Sequence, residues 1–487
     1  MVKTKKIPSR YTCFPEALLE NLKEESPAFA NESRDMQVAV ATMIWAGTSA
    51  RRAHFMHEGF ISFHHTELAR AFDGQFKAVN TRLEFLDIKE NWRFTSSTMA
   101  DGFTKAYRLS EKYQIYLNQY LAYRSTDMTK ILDGRGHSYI NVPNAISSLD
   151  MANVGTKKRW DVINAGASLS VVKIDTSALQ ELISVLNKVI CDWVHIEHPS
   201  QDPRIIDPNF LEAQDLKATA QKFMVMANTQ VTGVGCIMQR YIESPSGRLY
   251  GLGVSLQNSP RILRKTALNG LIDYDINNCH YSLIQQMAQQ NGVCCVHIAD
   301  YLKRKDGIRD EISHEIGINI ENSKKCLIAL IYGAKTTTWH KNSIPKLIGS
   351  EAASRLYRLP VFANIVKDVA TAAEAITDGA KRNRQGGVMN AFGKTIQTKE
   401  KSKKPQLLAH LLQGVEALAL RACLEAAPDD VVLLQHDGFT AKRVLDIPML
   451  EEAMRIATGF NLTLDKKVLK PDLNEFKERI SKSSFQK

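Results

Sequence analysis

The apolar run Val431-Val-Leu-Leu434 ends on Gln435-His436-Asp437 and turns at Gly438 before Phe439-Thr440. A short apolar run closed by a glycine turn reads as a buried strand entering a tight hairpin. It presents a carboxylate at a strand–turn junction. A second segment has the same design: Gly270-Leu-Ile-Asp273-Tyr-Asp275 carries apolar residues into acids, and a helical run starts near His280. Carboxylates at strand ends facing a cleft are hard oxygen donors suited to Mg²⁺. Asp273 is the preferred acid because it follows the apolar strand directly, and Asp275 competes for the role.

Between these segments lies Lys324-Lys-Cys-Leu-Ile-Ala-Leu-Ile-Tyr-Gly333. Lys324, Ile328 and Tyr332 are spaced i, i+4, i+8 and share one helical face. The first and last are separated by about 12 Å of axial rise, comparable to the span from a nucleotide's terminal phosphate to its sugar and base. Gly333 either caps this helix or allows close approach of a base pair.

The 487 residues call for two or three domains. With 44% hydrophobic and 24% charged residues, the composition is that of a soluble globular protein. No stretch approaches about 18 consecutive apolar residues, so no membrane partner is expected. Met1–Arg10 is basic without the apolar core of a secretory signal. Eight cysteines without CxxC or Cys/His ligand spacing suit a reducing, cytoplasmic setting without structural zinc or disulfides. The charge of +11 suggests a polyanionic partner. Lys381, Arg382, Arg384, Lys394, Lys399, Lys401, Lys403 and Lys404 form either a phosphate-tracking surface or a solvated loop.

In the first part of the chain, a helix over 36–48 precedes a short alternation at Gly59–Phe63 and a second helix from His65 to Phe72, capped by Thr66. Asp73-Gly74 breaks it, and a further helix turns Phe76, Val79, Leu83 and Leu86 inward. Two β-like runs follow, Trp92–Thr95 and Thr104–Leu109. This order resembles a winged helix-turn-helix, with Lys77 and Arg82 near the recognition helix; a small bundle for protein contacts is the alternative. The expected division is a basic tail over 1–30, the winged-helix-like domain over 31–115, a connector over 116–170, a helical thumb-like region over 171–235, and the remainder over 236–487.

Acid, then Lys-x7-Tyr-Gly helix, then His-Asp hairpin is an order that resembles the single-subunit phage and mitochondrial RNA polymerases and their relatives, the family A DNA polymerases. Ser246-Gly-Arg-Leu-Tyr250, Leu256-Gln-Asn-Ser-Pro260, Arg309–Gly317 and Ala409-His-Leu-Leu-Gln-Gly414 are similar to further segments of these enzymes. The likeness spans roughly residues 236 to 470. It implies an α+β right-hand polymerase with palm, fingers and thumb, acting on a DNA template and nucleoside triphosphates to make an RNA or DNA strand. It also implies two Mg²⁺ ions, replaceable by Mn²⁺, held by Asp273, Asp437 and the backbone carbonyl of Tyr274.

By the same resemblance Lys324 contacts the triphosphate and can protonate the leaving pyrophosphate, while Tyr332 and Gly333 meet the sugar and the template base pair. Arg248 and Gln413 touch the duplex and His436 the product end. The arginine these families carry four positions before the lysine is Ile320 here, so Lys325 or Arg309 would have to substitute. Family A DNA polymerases place a glutamate five positions after the acid; counted from Asp273 that position is Asn278. His280-Tyr-Ser282 looks like a segment of the phage RNA polymerases. RNA synthesis, in transcription or priming, is therefore favoured over DNA synthesis without proofreading in replication of a mobile element. A non-catalytic DNA-binding regulator and a phosphohydrolase built on His436-Asp437 are the rivals from other classes.

Overall fold

The computed structural model describes residues 13–46, 61–62, 68, 72–94, 102–122, 130–133, 138–140, 171–194, 208–231, 233–239, 241–251, 255–397 and 404–482. The first part of the chain contains β1 (Cys13–Pro15), α1 (Glu16–Glu25), α2 (Pro27–Ala30), α3 (Arg34–Ala46), β2 (Ile61–Ser62), α4 (Phe76–Leu83), β3 (Leu86–Phe94), β4 (Gly102–Leu109), α5 (Glu111–Ala122), β5 (Lys130–Asp133) and β6 (Ser138–Ile140). Its core gathers Phe14, Leu18, Leu19, Leu22, Phe29, Trp45, Phe72, Val79, Phe85 and Leu117. Residues 13–30, expected as tail, are thus built into that core, because α1 carries Leu18, Leu19 and Leu22 on one face. The expected connector contains regular elements too: α5 extends through Ala122, and β5 joins β1 to β6 in an antiparallel sheet.

The expected helix over His65–Phe72 falls largely outside the described residues, although Leu68 and Phe72 are buried. Asp73 and Gly74 take φ values of 47° and 77°, and α4 follows. Glu84 ends that helix with φ of 51°, so Leu86 opens β3 instead of extending the helix as expected. The three strands around α4 are ordered β2-β4-β3.

The next elements are β7 (Val171–Asp175), α6 (Thr176–Val194), α7 (Pro208–Met226), β8 (Asn228–Val231) and β9 (Val234–Met238). Leu179, Leu182, Ile183, Leu186 and Val189 give α6 an apolar stripe at helical spacing. The region is not purely helical, since β7-β9-β8 form a sheet and β9 crosses the expected boundary at 235/236. Helix α7 belongs to both cores: Ala213, Leu216, Ala220 and Phe223 pack into the larger one, Val225 and Met226 into the first. Beside that crossover the buried Lys222 donates to the Trp45 carbonyl at 2.5 Å, and burial lowers its ammonium pKa to about 8.

The larger core continues through β10 (Tyr241–Glu243), β11 (Leu249–Gly251), α8 (Arg261–Ala267), β12 (Ile272–Ile276), α9 (Cys279–Gln290), α10 (Val296–Lys303), α11 (Lys305–Ile316) and α12 (Ile320–Ile331). It ends with α13 (Ser343–Ile348), α14 (Ser350–Arg358), α15 (Pro360–Asp378), β13 (Gly387–Met389), β14 (Thr395–Gln397), α16 (Lys404–Ala426), β15 (Val431–Leu434), β16 (Gly438–Ala441), α17 (Ile447–Thr458), β17 (Leu464–Val468) and α18 (Leu473–Ile480). An antiparallel sheet ordered β15-β16-β12-β17 carries the acids, and the helices segregate from it, which makes the architecture α+β.

Alternation along β12 buries Ile272, Tyr274 and Ile276 in the core. Tyr274 stacks on Phe439 at 5.0 Å, and its hydroxyl accepts from the Leu445 amide at 2.7 Å. The opposite face of the strand is left to Asp273 and Asp275. Helix α16 is long and apolar enough to cross a membrane, but most of it is buried as a core helix.

Candidate active site

Across β12, Asp273 is in register with Thr440 on one side and Lys467 on the other, whereas Asp275 faces Gly438 and Asp465. Asp273 is 4% exposed. Its Oδ1 accepts from Thr440 Oγ1 at 3.1 Å and from Gln435 Nε2 at 2.5 Å, and its Oδ2 lies 3.5 Å from Lys467 Nζ. This carboxylate ties neighbouring strands together. Asp275 stands two residues further on, about 7 Å along the strand, with its side chain 38% exposed.

Asp275 is the acid that meets the hairpin turn. The Ile276 amide donates to the Asp437 carbonyl at 2.7 Å, and Gln435 N–H closes the turn onto the Gly438 carbonyl at 2.8 Å. A Cβ on Gly438 would lie 2.9 Å from Asp275 Oδ1 and 2.2 Å from the Tyr274 carbonyl oxygen, so glycine alone lets the two acid-bearing segments close. Burial, Glu416 and Asp275 together push the Asp437 carboxyl above its usual range. The acid expected to partner Asp437 was Asp273, with Asp275 competing; in the structure Asp273 is a buried hydrogen-bond acceptor, and Asp275 lies at the turn. The Tyr274 carbonyl lies against β16 in mid-strand, and the residue following the acid at the turn is Ile276.

Among the described residues no group of three or more His, Cys, Asp and Glu is arranged to hold a metal. The two carboxylates at the turn still concentrate negative charge. Lys467 Nζ is in direct contact with Asp275, and the half-buried guanidinium of Arg264 feels Asp273, Asp275 and Asp437. Hard oxygen donors of like charge, already attended by cationic groups, fit a divalent ion.

Beside the turn, Arg248 grips Glu416 through two hydrogen bonds of 2.5 Å each. Glu416 Oε2 also lies 2.9 Å from His280 Nε2, and Tyr332 Oη lies 3.2 Å from His280 Nδ1. His280 Nε2 also lies 3.1 Å from Arg248 Nη2, so both ring nitrogens have polar partners. Gln413, one turn before Glu416 on α16, also bonds Tyr332. Burial acts to raise the Glu416 carboxyl, but the His280 hydrogen bond and the charge of Arg248 outweigh it, and the net shift is downward. His436 packs on Tyr250 with ring centroids 4.5 Å apart, next to Asp437. Arg248, His280, Tyr332 and Gln413 therefore form one network around Glu416, with His436 beside Asp437 and packed on Tyr250.

The stripe Lys324, Ile328 and Tyr332 faces outward from α12, while Ser323, Cys326, Leu327, Leu330 and Ile331 are buried. Asn319 caps the helix start by accepting from the Asn322 amide at 2.7 Å. Tyr281 Oη donates to the Leu327 carbonyl at 2.8 Å, tying α12 to α9. Gly333 ends α12 with φ of 78°, and a Cβ there would collide with Pro405 at 2.6 Å; its close approach is thus to α16. Asn278 begins α9 with φ of 44°, and its Oδ1 accepts from Arg309 at 2.9 Å. The residue in contact with Tyr332 is His280, not Asn278. Arg309 is further engaged by Tyr301, and Lys325 lies 3.7 Å from Glu321.

Charge pairing thins the basic tract. Lys394 is paired with the buried Glu243 at 2.6 Å, and Lys404 lies within 3.2 Å of Glu374 and Asp378. Lys381 and Arg384 are exposed, while Lys399, Lys401 and Lys403 lie outside the described residues. Sequence reasoning missed Glu416, Lys467, Arg264, Gln435 and Thr440. Glu416 alone carries a signal, as an acid inside the apolar run Leu411–Leu420.

No family model matches the chain. A stretch of 105 residues, 20% of the chain, is 30% identical to the putative helicase V13 of Sputnik virophage, and it spans 14% of that protein's length. Among solved structures, the POL domain of Pol1 from M. smegmatis, in complex with DNA primer-template and dNTP, matches at a TM-score of 0.43 with 12% identity, over 90% of this chain and 82% of that one.

Proposed function

We propose that this chain is a template-directed nucleotidyltransferase. The observation that carries the proposal is the meeting of Asp275 and Asp437 at one hairpin turn, next to the Arg248–Glu416–His280–Tyr332 chain. In this reading the sheet β15-β16-β12-β17 is the palm, α9 to α15 the fingers, and α6 with α7 a thumb. Asp275, Asp437 and the Ile276 carbonyl would hold the Mg²⁺ or Mn²⁺ ions. When bound, such ions activate the attacking 3′-oxygen and neutralise charge at phosphorus and on the leaving pyrophosphate. Lys324 faces the triphosphate from the outer stripe of α12 and can donate a proton to pyrophosphate. Tyr332 and His280 line the sugar, Arg248 and Gln413 the duplex, and His436 the product end.

Counting five positions from Asp275 reaches His280, whose ring is engaged at both nitrogens. A fixed ring beside Tyr332 crowds a ribose 2′-hydroxyl, so the substrates are read as dNTPs and the product as DNA. The expectation of RNA drew on Asn278, whose amide oxygen accepts from Arg309, and on the likeness of His280-Tyr-Ser282 to the phage RNA polymerases. Primer extension with dNTPs and NTPs at equal concentration tests the point. Wild type should favour dNTPs, and His280→Ala should admit NTPs about 10–100-fold more readily. A wild-type chain that prefers NTPs reverses the assignment to RNA synthesis.

Residues 31–115 are proposed as a winged helix that docks duplex DNA through α4. The support is the strand order β2-β4-β3 around α4, whose exposed face carries Lys77, Ala78, Thr81 and Arg82. Arg82 is held by Glu32 at 2.6 Å. Glu32→Gln should free this charge, tighten duplex binding and steepen its salt dependence by about one phosphate contact; Lys77→Ala should lessen the slope by about one. Fluorescence anisotropy of the full chain across a salt series measures both. Unchanged slopes in both variants would remove α4 from the DNA interface.

A further inference from the structure

Lys467 does not belong to the machinery assigned above, yet its ammonium contacts Asp275 directly and lies 3.5 Å from Asp273 Oδ2. We propose that Lys467 is a resident counter-ion for the cation site, and that Asp273 is the position to which it withdraws when a divalent ion binds Asp275. This rests on the two-carboxylate site of the preceding section. The register supplies the layout: Lys467 on β17 stands directly opposite Asp273 and diagonally from Asp275, on the same face of the sheet.

The two carboxylates are not equivalent. Asp273 is buried, and its Oδ1 is bound by Gln435 and Thr440 while Oδ2 faces the lysine. Asp275 is half-exposed at the mouth of the site. A flexible lysine side chain, itself 42% exposed, can pass from one to the other by a small rotation while Asp273 stays fixed. The charge balance supports this. Asp275 lies beside Asp437, and Glu416 adds to the negative field at Asp437, so an ammonium on Asp275 lowers the repulsion until a metal takes its place. Asp273 then has a role that explains why a buried acid adjoins the site: it keeps the displaced ammonium paired and off the metal's ligand.

Mn²⁺ binding, followed by the loss of its free-ion paramagnetic resonance signal without nucleotide or DNA, tests this independently of activity. The site counted is the one abolished by Asp437→Ala. Lys467→Met should bind Mn²⁺ about tenfold more tightly, because no resident cation has to move. Asp273→Asn, whose amide oxygen still accepts from Gln435 and Thr440, should bind about tenfold more weakly, because the ammonium has nowhere to withdraw. The double variant should match Lys467→Met. Equal affinity in wild type and Lys467→Met overturns the counter-ion role, and an unchanged Asp273→Asn overturns the withdrawal. Should neither wild type nor Lys467→Met bind Mn²⁺, the cation site falls and the counter-ion with it.

Discussion

Asp275→Ala and Asp437→Ala should each reduce nucleotide addition by at least about 10³-fold, a loss of roughly 4 kcal/mol in transition-state stabilisation. The two acids are the carboxylates that share the Asp437-Gly438 turn; Asp275 meets the exposed Lys467 across strands, whereas Asp273 accepts from Gln435 and from the buried Thr440. Both variants should therefore stay folded, with circular dichroism spectra like wild type. Asp273→Ala should behave differently. It removes the acceptor for Gln435 and Thr440 and should cost about 1–3 kcal/mol of stability through unsatisfied buried donors. Primer extension under single-turnover conditions, with urea unfolding alongside, separates the two effects. Near-normal synthesis by Asp275→Ala combined with a dead but stable Asp273→Asn would return the ligand role to Asp273.

Glu416→Ala should be the most destabilising substitution in the cleft. The Arg248 and Glu416 side chains are 11% and 1% exposed, and the carboxylate also meets His280. Removing the acid leaves a guanidinium buried without its charge partner, at a cost of about 3–5 kcal/mol. Replacing both members by methionine should recover part of this loss, because no uncompensated charge remains. Urea unfolding of the single and double variants measures the difference. A Glu416→Ala chain within about 0.5 kcal/mol of wild type would mean that the pair is not desolvated in solution. The same variant should weaken selection between dNTPs and NTPs, because Glu416 fixes the His280 ring that meets Tyr332.

Local rules carry the sequence far where the outcome depends on neighbours in the chain. The apolar run into Asp437, the glycine turn at 438, the outward stripe Lys324, Ile328 and Tyr332, and the helix α4 all follow from periodicity and turn chemistry. The choice between Asp273 and Asp275 does not. In a strand, residues two apart share a face, so both acids satisfy the same pattern; only pairing with β16 decides which of them reaches the turn. The position counted from the acid shifts with that choice. A count begun at Asp273 ends on Asn278, whereas one begun at Asp275 ends on His280, the residue that touches Tyr332.

The first residues were misjudged for a related reason. Basic charge at the extreme N-terminus suggested a tail, but burial of Phe14, Leu18, Leu19 and Leu22 depends on β5, more than 100 residues away in the chain. Long-range charge partners were equally beyond reach. Glu416 meets Arg248 across 168 positions and Lys467 meets Asp275 across 192, and no local pattern encodes either contact. By itself the sequence determined which segments present acids, a lysine–tyrosine helix face and a hairpin. The tertiary structure alone decided which acid faces the cleft, which side chain meets Tyr332 and which cations neutralise the site, because electrostatic and hydrogen-bond partners are set by distance in space rather than along the chain.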